Sequence, residues 1–496
     1  MQTDNCPTCG VPRRLNLEYE DGKVLDILRA EQPLLECDHD WVHQNIAAVD
    51  GDLQSLRQSL SHLESLTALI RSQIDVALEA RQRFESIRAP IRSLPRDVLI
   101  EIFYLCRPKR LFYSLACRSY PWLLGHVSHS WRDIVHSSPM LWSSIILRPQ
   151  KCRPSSVDVL DVHLKCSGNI PLNVCLFMYS NGGNHEKDIM ARVTKLAHRW
   201  SKLKIEGQQY EDFPPSFPAL RTLTASNIFK GDVYFFDAPL LRTVRLGADV
   251  ALQSFVLPSH ITHLALAWLY AEDFPQLQLY PFLVELHFSF YFVDGSDPIP
   301  STITHPTIRC LSVSGESFLE FLVLPALEDL RICSNNYDVD LQTVSAFLSR
   351  SGCSLKTLSV DVSGSESPLA FLVNQPSLHR LSLMRYSYYR RSDVVLQNLA
   401  RPDFLPNLES IEINYNDRVF HPWVMQMIEK RWHAPVRRLR KFVVFTESVT
   451  RSEVAKYMQE MIDEGLDVKV LKPLCLRSRT GAWLDPHMTG SEDILE

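Results

Sequence analysis

Long apolar runs are missing from this chain of 496 residues: nowhere do eighteen such residues follow one another, which argues against a membrane-spanning helix. The start, Met1-Gln-Thr-Asp-Asn-Cys6, lacks the apolar core of a secretory signal, so the protein is expected in the cytoplasm or nucleus. Glycine is scarce, at 17 residues, which disfavours a nucleotide-binding fold. There is no Gly-rich loop ending in Lys-Ser or Lys-Thr, no His-Glu-x-x-His and no Gly-x-Ser-x-Gly; His185-Glu186 has no second histidine. The chain is therefore expected not to be an enzyme by itself and to need no cofactor. Strong net charge is also lacking: −5 overall, with a pI near 6.4, leaves no global attraction to nucleic acid or an anionic membrane.

The twelve cysteines form no disulfide framework. Several, such as Cys175, Cys310 and Cys333, sit in apolar strand-like runs where a thiol acts as a small hydrophobe, which fits a reducing compartment. Cys6-Pro-Thr-Cys9 is a familiar zinc half-site, with Cys37 and His39 as candidate third and fourth ligands. Only one residue separates Cys37 from His39, so a metal knuckle competes with a poorly ordered segment over residues 1–40.

What the chain does have begins with a heptad. Ile46, Val49, Leu53, Leu56, Leu60, Leu63, Thr67, Ile70, Ile74, Ala77, Arg81 and Phe84 alternate steps of three and four, predicting one long coiled-coil-type helix over residues 41–89, ended by Pro90. Thr67 and Arg81 interrupt the seam, while Leu66, Leu69 and Leu78 lie outside it. Two alternatives stand: homodimerisation through 46–84, or a helix folded back on its own chain.

Residues 91–143 predict two or three short helices packed together. Leu94-Pro95 opens the first, and Asp97 lies near the positive end of its dipole. Val98, Leu99, Ile102, Phe103, Leu105 and Cys106 form its apolar stripe, and Pro108 is expected to stop it. Val127 and Trp131 follow at helical spacing, and Leu141-Trp142 closes the stretch. In order and spacing these landmarks resemble an F-box, with Ser128 where that family usually has cysteine and an insertion over 107–120. The long helix followed by Ile-Arg-x-Leu-Pro is similar to that of fungal F-box proteins. The resemblance, over about fifty residues, implies docking on a Skp-type adaptor of a cullin–RING ubiquitin ligase. By it, Leu94, Pro95, Leu99, Ile102, Val127 and Trp131 lie in or directly behind the adaptor contact, Trp131 more as core.

Strand and helix then alternate over 144–207, which points to a parallel sheet with helices on one side. From Phe217 a phrase recurs ten times: three apolar residues spaced as in Leu-x-x-Leu-x-Leu, usually behind a proline. Its first positions are 220, 241, 261, 283, 308, 327, 355, 378, 408 and 439, in steps of 19 to 31 residues. Over 208–471 this resembles a divergent leucine-rich-repeat solenoid, although the usual Asn or Cys after each strand is mostly absent. The expected fold is thus an α/β repeat following a long helix and a three-helix F-box bundle; an open β-sandwich is the alternative. Ser452–Glu464 and Val468–Leu471 are expected to cap the array, and 472–496 to form a loose tail.

Between the last two apolar residues of each phrase stands one pointing away from the core. Arg245, His287 and Arg331 are such residues, and they are candidates to bind an acidic or phosphorylated segment of a protein target. Lys430, Arg431, Arg437, Arg438, Arg440 and Lys441 form the densest basic cluster, expected to be a solvated rim because no stacking aromatics are interleaved. Two functions follow as expectations: a ubiquitin-ligase substrate receptor, in which the resemblance implies an F-box holding the adaptor and repeats holding the target, or a non-catalytic scaffold.

Overall fold

A computed structural model describes residues 21–29, 33, 35–107, 114–148, 153, 155–178, 184–207, 214–227, 234–235, 237–247, 250–292, 302–333, 339–361, 368–386, 392–415, 422–445 and 451–471. The chain divides into two compact units, residues 1–99 and 100–496, and the division falls inside the Arg96–Leu105 helix. The architecture is mixed: a long N-terminal helix and a C-terminal parallel sheet.

The first unit is dominated by one helix, Glu36–Ile87, 52 residues and hence about 78 Å long. It starts five residues before the expected 41–89 span and ten before Ile46, because Leu35 is extended and Glu36 and Asp38 place negative charge on the first turn. At its other end the Arg88 N–H turns back to the Glu85 carbonyl, Pro90 opens a single 3-10 turn, and Arg92 donates through Nε to the Ser86 carbonyl at 2.8 Å. No residue of the helix is buried. Along the seam Ile46, Leu60, Ile74 and Phe84 are all more than half exposed. Thr67 satisfies its hydroxyl locally, donating to the Leu63 carbonyl at 2.8 Å.

The second unit is built on fourteen strands, among the described residues, that form one sheet. Strand order follows sequence order from Ser144–Leu147 to Asp467–Leu471, and every neighbouring pair is parallel. The register joins equivalent positions of the recurring phrase: Leu223 pairs with Val244, Val244 with Leu264, Leu264 with Leu286, and so on to Ile411 with Phe442. All thirty apolar positions of the ten phrases are at most 3% exposed. A slip of one residue would turn each triplet towards water, so burial fixes the register.

The spacing between phrases decides what returns the chain to the next strand. The step of 19 residues after Ile308 returns through the 3-10 turn Ser317–Phe321 and the two-residue strand Leu322–Val323. The steps of 28, 30 and 31 residues contain the helices Leu341–Ser351, Ser392–Leu399 and Pro422–Trp432, each burying an apolar face. Asp340 caps the first of these, accepting from the Gln342 N–H at 2.9 Å, and Gly352 ends it with φ +61°.

Polar side chains, from exposed Arg350 to buried Arg431 and Asp273, stitch one return segment to the one before. Arg199 donates to the carbonyls of Ser167 and Ile170, and Arg350 to those of Leu319 and Leu322. Arg431, 5% exposed, donates to the carbonyls of Leu399, Arg401, Phe404 and Leu405. Asp273 works in the opposite sense, its buried carboxylate accepting from the N–H groups of Leu252 and Gln253. Each tie adds a side-chain partner to backbone groups at the end of a turn, some of which, such as the Ser167 and Leu319 carbonyls, also accept a backbone N–H. The basic cluster is therefore not a solvated rim throughout: Arg431 is core, and Arg437 stacks 3.9 Å over Trp432 while pairing with Glu464 at 2.7 Å.

At the first edge of the sheet, Ser114 closes the exposed hydrogen-bonding row. Its N–H donates to the Ile146 carbonyl and its Oγ accepts from the Ile146 N–H. One close approach requires glycine: Gly207 has φ +106°, and a Cβ there would stand 1.9 Å from the Met178 carbonyl oxygen.

Candidate functional site

Two surfaces of the second unit carry most of the residues singled out by the sequence; Leu94, Pro95 and Leu99 belong to the first unit. The first is the group of short helices ahead of the sheet. Ser128 is extended and accepts from the Trp131 N–H at 3.2 Å, so it is the N-cap of the His129–His136 helix. A hydroxyl serves that role well, which gives a local reason for serine at this place. Arg132 holds this helix to Trp122–Gly125 by donating to the Gly125 carbonyl at 3.0 Å. Trp131 is half-buried, with its ring 4.6 Å from that of Phe103, itself 1% exposed.

Leu141 and Trp142 are core. Trp142 is fully buried, donates through Nε1 to the Val135 carbonyl at 2.8 Å, and packs edge-on against Trp122 and His163. His163, 1% exposed, sets its Nε2 3.0 Å from the Trp142 carbonyl oxygen, and burial pulls its pKa down to about 4. The Ser155–Cys166 helix is thereby locked to the end of the short-helix group, and that group to the sheet.

Other apolar side chains of this group remain in water. Leu105 is 73% exposed, Val127 60%, Met140 58% and Leu123 55%. Ile102 is half-buried. In the first unit, Leu94 is half-buried, Pro95 exposed and Leu99 buried. The helix carrying Ile102 ends at Leu105; Pro108 lies outside the described residues.

The second surface is the sheet face opposite the triplets. Register places Arg245, Ala265, His287, Ser312 and Arg331 side by side on successive strands. Arg245 and Arg331 are four strand spacings apart, about 19 Å. The three sequence candidates thus share one line, but their charge is not all of one sign locally. Arg331 forms a two-pronged pair with Asp329 on its own strand, at 3.1 and 3.2 Å. His287 is 9% exposed, and its Nε2 lies 3.6 Å from Glu285, which also stands 3.5 Å from His263. The two histidines beside it hold the Glu285 carboxyl far below the usual range.

His263, Glu285 and Asp329 belong to a second line, two residues earlier on each strand, that sequence reasoning passed over. The period of two along a strand puts both lines on one face, so the signal was there. Val443, at the same position as Arg331 in its phrase, is buried rather than outward-facing in water. Cys175 is likewise buried and its thiol is pushed up to about 12 by burial, an unreactive group.

Cys37 and His39 both lie on the long helix and are exposed; two residues apart, they point to different sides of it. Cys6 and Cys9 lie outside the described residues. Among the described residues no cluster of His, Cys, Asp or Glu has the geometry to hold a metal, and no helix is long and apolar enough to cross a membrane. No protein-family model matches the chain, and no curated protein matches it.

Proposed function

We propose that the protein is a substrate receptor of a Skp–cullin–RING ubiquitin ligase, an F-box protein whose short-helix group binds the adaptor and whose repeat array binds a protein target. The observation that carries this reading is the unequal burial of the short helices: Phe103, Ile134, Val135 and Trp142 make a core, while Leu105, Leu123, Val127 and Met140 stay exposed. Apolar side chains left in water on a well-packed support suit contact with another polypeptide. The order of landmarks from Leu94-Pro95 to Leu141-Trp142 supports an F-box as the form of that support.

The parallel sheet is read as a leucine-rich-repeat solenoid. In its favour are strand order following sequence order, steps of 19 to 31 residues, and one buried triplet per strand. The target would meet the line of Arg245, His287 and Arg331 together with Glu285 and Asp329. Such a face suits a protein segment carrying both charge signs better than phosphate alone. On this reading the chain is a non-catalytic subunit, acting in the cytoplasm or nucleus.

The test is co-purification with a Skp-type adaptor. The wild-type chain is expected to retain the adaptor, and Val127→Glu with Leu123→Glu to lose it while keeping the circular dichroism of the wild type. A wild-type chain that holds no adaptor would favour the scaffold reading instead.

A further inference from the structure

The Glu36–Ile87 helix carries an apolar seam with no buried residue, and its sequence is asymmetric from end to end. We infer that the Glu36–Ile87 helix pairs with the same helix of a second copy of this chain, antiparallel, with the dyad close to Ser65.

With Ile46 taken as position a, the a residues are Ile46, Leu53, Leu60, Thr67, Ile74 and Arg81, and the d residues are Val49, Leu56, Leu63, Ile70, Ala77 and Phe84. A parallel, in-register pair would set Arg81 against its own copy, Ala77 against Ala77 and Thr67 against Thr67. That arrangement opposes like charges and leaves a thin layer at Ala77. In the antiparallel arrangement a faces d. The layers are then Ile46 with Phe84, Val49 with Arg81, Leu53 with Ala77, Leu56 with Ile74, Leu60 with Ile70, and Leu63 with Thr67. The small residues Ala77 and Thr67 each meet a leucine, and all twelve seam positions are used on both chains.

Charge agrees with this direction. From Glu36 to Asp52 the helix has five carboxylates and no Lys or Arg; the stretch from Glu79 to the capping Arg88 has three arginines against Glu79 and Glu85. Running the helices in opposite directions brings the acidic end of each to the basic end of the other. Arg81 then lies opposite Val49, which Asp50 and Asp52 flank. Leu66, outside the seam, falls one residue from the dyad and meets its own copy. The a, d, e and g positions of six heptads give 24 residues on each helix, within the roughly 20–30 residues a side of a stable interface. This inference does not rest on the adaptor reading.

Light scattering of the full-length chain at micromolar concentration tests the association, and cysteine cross-linking tests the direction. An equimolar mixture of Leu60→Cys and Ile70→Cys chains, oxidised and mapped by peptide mass, is expected to give the 60–70 product at least tenfold above 60–60 or 70–70. Leu56→Asp with Leu63→Asp is expected to yield a monomer that keeps the wild-type thermal transition of the sheet. A monomeric wild-type chain overturns the inference. A dimer that gives 60–60 and 70–70 products shows a parallel pair and overturns the direction, and a dimer with none of these products overturns the layers assigned here.

Discussion

The two units spend the same residue type in opposite ways. In the sheet, a leucine such as Leu330 is fully buried and paired in register on both sides. On the long helix, Leu60 and Leu69 are each more than half exposed, and no residue of the 52 is buried. Helical hydrogen bonds close within the segment, so a helix forms its backbone structure without covering its seam; a strand cannot, because its partners belong to neighbours. Exposed apolar surface on the helix is thus compatible with its local structure, whereas in the sheet it would mean loss of the fold.

The largest expected loss comes from the ties between return segments. Arg431→Ala removes one guanidinium but strands the carbonyls of Leu399 and Phe404, while those of Arg401 and Leu405 keep the N–H groups of Phe404 and Leu408. Stranding an acceptor costs about 1–3 kcal/mol, so the two together predict a loss of about 2–6 kcal/mol in denaturant unfolding. Burial lowers the Arg431 pKa to about 10, which still leaves it charged at neutral pH. A loss under about 1 kcal/mol would mean that these carbonyls find other partners.

Next comes the core itself. Leu330→Ala is expected to destabilise the sheet by about 2–5 kcal/mol, the usual cost of a cavity at a fully buried leucine. Its neighbours on either side, Leu311 and Leu358, are also fully buried, so the site has little room to collapse.

Much of this was legible beforehand because it depends on period. The ten triplets, the extent of the Ser144–Leu147 strand and the late Arg451–Asp463 helix follow from spacing alone. Arg431 was not legible: within the run from Lys430 to Lys441 nothing local distinguishes the buried arginine from Arg438 or Arg440. What buries it is a set of carbonyls 26 to 32 residues earlier, and a linear pattern holds no record of which return segment packs on which. Glu285 was missed for a related reason. Its partners His263 and His287 become neighbours only once strands are in register. The helical landmarks around Trp131 were readable, but their division into buried Ile134 and exposed Val127 depends on packing.

Acid tests the join between the short helices and the sheet. Burial holds His163 neutral, with its pKa at about 4 against an ordinary 6.5. The unfolded chain takes up that proton first, so stability falls as pH drops from about 6.5 and stops falling below about 4. The full change is about 3 kcal/mol. His163→Gln is expected to flatten this part of the profile in unfolding measured between these pH values. A variant that keeps the full slope would assign the acid sensitivity elsewhere.

The smallest effect is expected from repeating the leucine-to-alanine change on the other unit. Leu69 is 56% exposed and lies at position c of the heptad, away from the seam. Alanine gives up little buried surface there and is the better helix former, so the two terms oppose each other. Leu69→Ala should leave the unfolding of the sheet within about 0.5 kcal/mol of wild type and should not change the oligomeric mass. Leu60→Ala, on the seam, should leave the sheet equally untouched but shift association to higher concentration. If Leu69→Ala instead weakened the sheet as Leu330→Ala does, the helix would have to be covered in solution by the rest of the chain, and the contrast between the two units would fail.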